Sequence, residues 1–377
     1  MDLITQAFLG AAVGELILGK RLGKSALAWG ALIGVLPELD AVLFTFFDTA
    51  RQSSLHRGPF HSLLGIALGS YALARGLALL WRWEKISQLE AGGFAFAIWS
   101  THVLVDCFSV DGAALLWPVS GSRISFNHLF ETDPLFTLPL VVTVTWMALL
   151  REKKAKKPRG KAPAPRSERR RLCRWGLGLC AAYALLSIGM KFVASAGFEA
   201  DLLRRGVKFD RRMETPTPYN IVLWRAVVDR GDEFWIGYRS VFEFHQTPVR
   251  WTIYPKGSAS LTLLADMRET KTLTTLTDGW WLARPHSKGA WLGDLRHGES
   301  RIWGGKKGMV DSRLAKSWVI DAGAKKERLR VITEQSASGE TLARMRSRIF
   351  GKRENWEASP RLAGIAGSLP EFLAVEE

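Results

Sequence analysis

Cysteine is scarce in this chain of 377 residues: Cys107, Cys173 and Cys180 are the only ones, and none lies beyond residue 196. The C-terminal half therefore has no disulfide framework, on whichever side of a membrane it sits. The opening residues, MDLITQ, lack the basic run of a cleavable signal peptide, so the first apolar stretch is expected to be retained. No internal repeat is found. Excess positive charge is scarce too, outside one place. The formal net charge is +16, but residues 151–174 (REKKAKKPRGKAPAPRSERRRLCR) carry twelve Lys/Arg against two Glu. Residues 197–377 hold thirty basic and twenty-three acidic side chains, an ordinary mixed surface. The excess is a loop that sets membrane topology rather than a face for nucleic acid, and no nucleic-acid partner is expected.

What the chain does have is long apolar runs. They recur at about 3–19, 25–47, 61–81, 91–110, 134–150 and 175–196. A spanning helix needs roughly 20 residues, so the first run is short for the task, and Glu15 interrupts it. The pattern predicts a multi-pass α-helical membrane domain of about six spans followed by a smaller β-rich soluble domain. In residue terms, 1–150 is a membrane domain, 151–174 a basic cytoplasmic linker whose Lys/Pro/Ala-rich part is flexible, 175–196 the final span and 197–377 an extracytoplasmic domain. With 151–174 inside, counting back through six spans puts KRLGK (20–24) and RWEK (82–85) on the same side. The N-terminus, 48–60, 111–133 and everything after 196 then lie outside. In the outer domain, FWIGYRSVF (234–242), VRWTIYP (249–255) and RLRVITEQ (328–335) read as strands. A continuation of the last span to about 206 and a segment near 339–350 read as helices.

Ionisable groups inside apolar spans are costly and mark candidate sites. Glu38 and Asp40 lie in the outer half of the second span beside Pro37, which can break the helix. His61 opens the third span and His56 precedes it. His102 and Asp106 are four apart in the fourth span, on one helical face, and Asp133 opens the fifth. All seven fall at the outer side of a topology derived from Lys/Arg alone. Imidazoles and carboxylates at one depth suit a divalent cation, zinc first, with manganese or magnesium as alternatives. Seven candidates exceed one zinc site, so either two ions bind or some of the seven orient ligands or act as bases. Taken singly, each has a plainer reading: His56 as a surface residue, His102/Asp106 as an interhelical hydrogen-bonding pair, LPELD (36–40) as a solvated helix end. The inner half of the spans carries few ionisable groups beyond Glu15 and Arg75, which fits a one-sided site better than a transport path.

These residues resemble the motifs of a bacterial family known as membrane-bound (inner-membrane) metal-dependent hydrolases. ALAWGALIGVLPELD is similar to a segment where that family has Pro-Asp-x-Asp, and HRGPFHS (56–62) to His-Arg-Gly-x-[Ser/Thr]-His-Ser. THVLVDCFSVDGAALLWPVS resembles His-x-x-x-Asp…Gly…Trp-Pro-Phe-Ser, and FNHLFETDPLFTLPL a block ending in Asp-Pro. TPTPYNIVLWR and WIGYRS resemble its outer domain, so the likeness covers most of residues 1–242. It implies metal positions at Glu38, Asp40, His56, His61, His102, Asp106 and Asp133. Three departures stand out: Glu38 for Asp, Phe60 for a small hydroxyl residue, and Asp111 for an aromatic one.

The expectation is a membrane-embedded metal-dependent hydrolase at the outer face of the cytoplasmic membrane, acting on an ester or phosphoester of a lipid-linked or envelope substrate. The ion would lower the pKa of a water to about 7, Asp106 or Glu38 would take its proton, and Arg57 would steady a substrate anion. The alternative is a non-catalytic membrane scaffold with a structural metal. The partner expected in either case is the lipid bilayer; the oligomeric state is left open.

Overall fold

The computed structural model describes residues 1–150, 165–286, 289–302, 310–324, 328–333, 339–353, 356 and 360–362. The chain divides into two compact units, one of Met1–Thr45 with Leu55–Ser187, the other of Phe46–Ser54 with Ile188–Glu377. The β-rich unit also takes in Phe46–Ser54, a short segment that follows the second apolar run.

The helical unit begins with α1 (Leu3–Leu22), capped by Asp2, whose carboxylate accepts from the Thr5 amide at 3.0 Å. It packs on α2 (Ser25–Val35) through glycines spaced four apart on both helices, Gly10 and Gly14 against Gly30 and Gly34. A Cβ on Gly10 would stand 2.3 Å from the Gly30 carbonyl oxygen, and one on Gly30 equally close to that of Gly10. Only glycine permits backbones this near. Pro37 ends α2, as its missing N–H requires, and the chain continues through a 3-10 turn (Leu36–Leu39) into the short α3 (Asp40–Leu43). After α4 (Thr49–Leu55), another 3-10 turn (Pro59–His61) leads to α5 (Leu63–Leu80). α6 (Gln88–Asp106) starts with a capping box of Ser87 and Glu90. α7 (Pro134–Leu149) and α8 (Pro165–Arg204) complete the helices.

Among the described residues, four helical stretches are long and apolar enough to cross a membrane: Leu3–Leu22, Ser25–Phe46, Leu63–Leu80 and Glu168–Arg204. Two of the six expected runs fall outside this measure, so a count of six is not shown. Gln88–Asp106 carries Gln88, Glu90, His102 and Asp106 within its 19 residues, and Pro134–Leu149 has only 16. Glu15 does not interrupt α1; it is buried in an ion pair with Arg169 of α8. The helix α8 starts at 165, so the second part of the expected 151–174 linker is helical, while 151–164 lies outside the described residues.

The β-rich unit stacks two sheets. The first is an antiparallel meander of β1 (Arg211–Pro216), β2 (Leu223–Asp229), β3 (Glu233–Ser240) and β4 (Trp251–Pro255). The second runs β5 (Trp281–His286), β6 (Gly289–Ile302), β7 (Val310–Asp321) and β8 (Leu329–Thr333), with β9 (Pro360–Leu362) parallel to β7. Leu223, Val227, Phe234 and Ile236 of the first sheet meet Leu282, Trp291, Leu314 and Val319 of the second in one core. On the outer side of the first sheet, Ala194, Phe198 and Leu202 of α8 pack on Trp224, Trp235 and Trp251. On the outer side of the second, Trp318 and Ile320 are covered by a 3-10 segment (Ser258–Leu264), α9 (Arg268–Leu276) and Ala50. The helix α10 (Gly339–Ile349) adds Met345 to the inter-sheet core. The strands expected near 234–242, 249–255 and 328–335 and the helix near 339–350 are all present.

Candidate metal centre

The HRGPFH turn is built to aim a histidine. Arg57 takes a left-handed backbone, φ 56°, unusual for a residue with a long side chain. Its amide donates to Asp40 Oδ2 at 2.7 Å and its carbonyl accepts from Ala114 at 3.1 Å. Pro59 then opens the 3-10 turn that ends on His61. Ser62 caps α5, accepting from the Gly65 amide at 2.9 Å and donating to the Pro59 carbonyl at 2.8 Å. Trp99 Nε1 ties the turn to α6 by donating to the Phe60 carbonyl at 2.8 Å. Phe60, where the resembled motif has a hydroxyl residue, packs its ring beside Ile66 and Trp99 instead.

This places His61 opposite the last turn of α6. His61 Nε2, His102 Nε2 and Asp106 Oδ2 form a triangle with all three sides 3.2 Å. Glu38 Oε1, delivered by the break at Pro37, lies 3.7 Å from His102 Nε2 and 4.0 Å from His61 Nε2. Such edges suit one small ion: ligands about 2.1 Å from a tetrahedral zinc are about 3.4 Å from one another. The second test is the donor inventory. Glu38 Oε1 and Asp106 Oδ2 are both buried, yet neither meets a donor in hydrogen-bonding geometry. Two buried carboxylate oxygens facing each other's site without a proton or cation between them are costly. A divalent cation at their meeting point satisfies both, so the residues fit the group.

The imidazoles are oriented from behind. His102 Nδ1 lies 2.6 Å from the Gly34 carbonyl oxygen, which can only accept, so Nδ1 carries the proton and Nε2 offers its lone pair. Gly34 O is one of the unpaired carbonyls at the end of α2. His61 Nδ1 is 3.4 Å from Asp40 Oδ2, within ion-pair distance but outside hydrogen-bonding geometry, so Asp40 supports this ring by its charge. Asp40 also faces His56 Nδ1 at 3.1 Å, so these two expected ligands stand behind His61 rather than beside Glu38.

Asp133 is placed elsewhere. It caps α7, accepting from the Leu135 amide at 2.9 Å, and takes the Tyr183 hydroxyl at 2.9 Å. Arg57 is buried with its guanidinium 4.0 Å from Asp106 Oδ1 and 3.9 Å from Asp111 Oδ2. Burial disfavours the cation, but those carboxylates hold its pKa above the ordinary arginine value. Asp111 also lies 3.8 Å from Arg123, so the added carboxylate faces arginines and is not one of the four converging donors. Sequence reasoning missed Gln6, which donates to Asp106 Oδ1 at 3.0 Å and fixes that carboxylate's other face. Its signal was a lone amide in an apolar helix. The Met1 amino group reaches the same oxygen at 2.5 Å.

No curated protein and no solved structure matches the chain. The family model described as YdjM inner membrane protein matches residues 1–195, which takes in α1 to α7, the four converging donors and most of α8. With more than half of its length matched, the chain belongs to the YdjM inner membrane protein family, a family of bacterial inner-membrane proteins.

Proposed function

We propose that Glu38, His61, His102 and Asp106 hold a divalent cation, zinc first, and that the chain is a metal-dependent hydrolase at the outer face of the cytoplasmic membrane. Its substrate class would be an ester or phosphoester of a lipid-linked or envelope molecule. The observation that carries this is the convergence of two imidazole nitrogens with two carboxylate oxygens that lack any other partner. The ion, when bound, supplies Lewis acidity to a carbonyl or phosphoryl oxygen. The protein does the rest. His61, His102 and Asp106 form the tight triangle and are its ligands. Glu38 stands back from it and is the most exposed of the four, its side chain 18% accessible against 0–1% for the others. That position suits a group that takes the proton of an attacking water as well as one that completes a shell. Arg57, buried beside Asp106, steadies the substrate's anion. The outer-face assignment rests on the Lys/Arg distribution of the short loops.

One feature favours a second reading. Four protein donors around one point are the mark of a closed, structural zinc site, and catalytic sites keep a position open. A scaffold with a structural metal then follows.

Elemental analysis of the detergent-purified protein, beside His102→Ala/Asp106→Ala, tests both. Stoichiometric metal in the wild type and none in a variant of unchanged helix content is expected. Absence of metal in both, after reconstitution with zinc, manganese and magnesium in turn, rules the site out. Where metal is present, removal by chelator with the fold intact supports the hydrolase, and removal only on unfolding supports the scaffold.

A further inference from the structure

The β-rich unit receives the chain twice from candidate spans: at Phe46, where Ser25–Phe46 ends, and along α8, whose apolar run closes near 196. Large apolar side chains stand exposed beside each of these two junctions. At α8, Arg239 lies against Gly197, where a Cβ would come within 2.1 Å of its Nε. The same guanidinium donates to the carbonyls of Phe244 at 2.7 Å and Thr247 at 3.0 Å. The loop after β3 is thereby held at the level where α8 leaves its apolar run. That loop exposes Phe242 (64%) and Phe244 (87%), and Phe350 (70%) stacks on Phe242 with an interplanar angle of 12°. The pair is not loose. Glu243, between the two phenylalanines, binds Arg348 of α10 at 3.1 Å, and Ser240 donates to the Ile349 carbonyl at 2.8 Å. At the Phe46 junction, Ala50 packs with Leu261 and Leu264, while Leu263 between them is 98% exposed. Asp48, two residues past Phe46, pairs with Arg268 and locks the segment to α9.

A soluble domain seldom fixes four large apolar groups in water by ion pairs and stacking. Each group lies close in the fold to a point where the chain enters from a candidate span, which argues for the lipid surface as the solvent of both. We infer that Phe242, Phe244, Phe350 and Leu263 form an interfacial anchor by which the β-rich unit rests on the bilayer that its own spans cross. Aromatic rings belong at the headgroup level, and the exposed cations Arg250 and Lys352, next to the loop and to Phe350 in the chain, suit anionic headgroups there.

The test uses the full-length protein in nanodiscs of phosphatidylethanolamine and phosphatidylglycerol. A nitroxide is attached in turn at Phe244→Cys, Leu263→Cys and the exposed acidic Asp278→Cys; the three native cysteines are buried. Collision with a water-soluble nickel chelate should be about fivefold or more lower at 244 and 263 than at 278, with collision with oxygen raised, as for groups sunk about 5–10 Å into the interface. Equal chelate access at all three positions overturns the anchor. Shielding from both chelate and oxygen also overturns it, because protein rather than lipid would then cover the patch. In a Phe242→Asp/Phe244→Asp background, a label at Phe350→Cys should shift toward the value at 278; an unchanged reading likewise counts against the anchor.

Discussion

In the β-rich unit, the fully buried Arg348 meets both oxygens of Glu243 and the Tyr238 carbonyl, and Arg296 meets both oxygens of Asp294. In the helical unit, Glu38 and Asp106 each keep a buried oxygen that meets no donor. Both units bury charge and pair most of it within the chain, as Glu15 with Arg169 shows in the helical unit, but at Glu38 and Asp106 the pairing covers only part of each carboxylate. A buried ion pair that is complete fixes geometry and asks for nothing more. In the four-donor cluster, Met1, Gln6 and Arg57 all reach the far oxygen of Asp106, while its other oxygen and Glu38 Oε1 face one point, and that asymmetry separates a structural network from a candidate site.

The largest effect is expected at Arg348. Arg348→Met leaves Glu243 buried with Arg353 at 3.0 Å and the nearby charge of Arg239 to balance it. The β-rich unit is expected to lose about 3 kcal/mol of stability, read as a lower melting temperature and faster proteolysis beyond residue 200, with bound metal unchanged. If metal content falls in step, the two units do not keep separate charge networks. A smaller effect is expected at Asp40. Asp40→Asn keeps the size of the side chain but withdraws the negative charge behind His61, and metal affinity should fall by about 10- to 100-fold in a chelator competition titration. Unchanged affinity would mean that Asp40 serves only the turn at Arg57.

The smallest effect is a pH response confined to the β-rich unit. Burial works against ionised Glu243, but Arg348, the Ser240 amide and Arg353 outweigh it and hold the carboxyl below its ordinary value of 4.5. A group depressed on folding contributes stability that is present above the unfolded value and is lost as pH falls through the folded one. Melting temperature should therefore stay level with respect to this group above about pH 4.5 and decline below it. In Glu243→Gln that part of the decline should be missing; an identical slope in the variant would assign the acid sensitivity to other carboxylates.

Much of the site was legible because polarity is conspicuous against an apolar background. LPELD, HRGPFH and THVLVD stand out in runs that otherwise avoid charge, and their side chains do meet. What the sequence hid was the division of labour. Asp40 and Glu38 are two residues apart, yet the 3-10 turn at Pro37 sends one to the back of His61 and the other to the front. Asp133 looked like a ligand by the same logic of depth, although Asp followed by Pro at a helix start is also a capping signal, which is how it is used. The basic run after 150 read as linker by its charge. After Pro165 the run is free of Pro and Gly, and its Arg, Leu and Glu residues favour the helix that forms there. The six-span count rested on run length and on the Lys/Arg pattern of the loops; α7 is short, and α6 carries Gln88 and Glu90 besides the site residues His102 and Asp106. For the β-rich unit, alternating aromatic strands were readable, whereas the recruitment of Phe46–Ser54 into it depends on contacts far apart in sequence.

The glycines that join α1 to α2 have a bearing on this chemistry. Because backbone meets backbone at Gly10 and Gly30, α2 can seat on α1 only where a gap faces a gap, and the next such seat lies four residues away, about 6 Å. Gly34, the last of the row, also presents the carbonyl that sets the tautomer of His102. The crossing is therefore an indexing stop: the helices are either in the notch, with the imidazole lone pair aimed at the carboxylates, or a whole seat out of it, with no intermediate position in which the centre is half assembled.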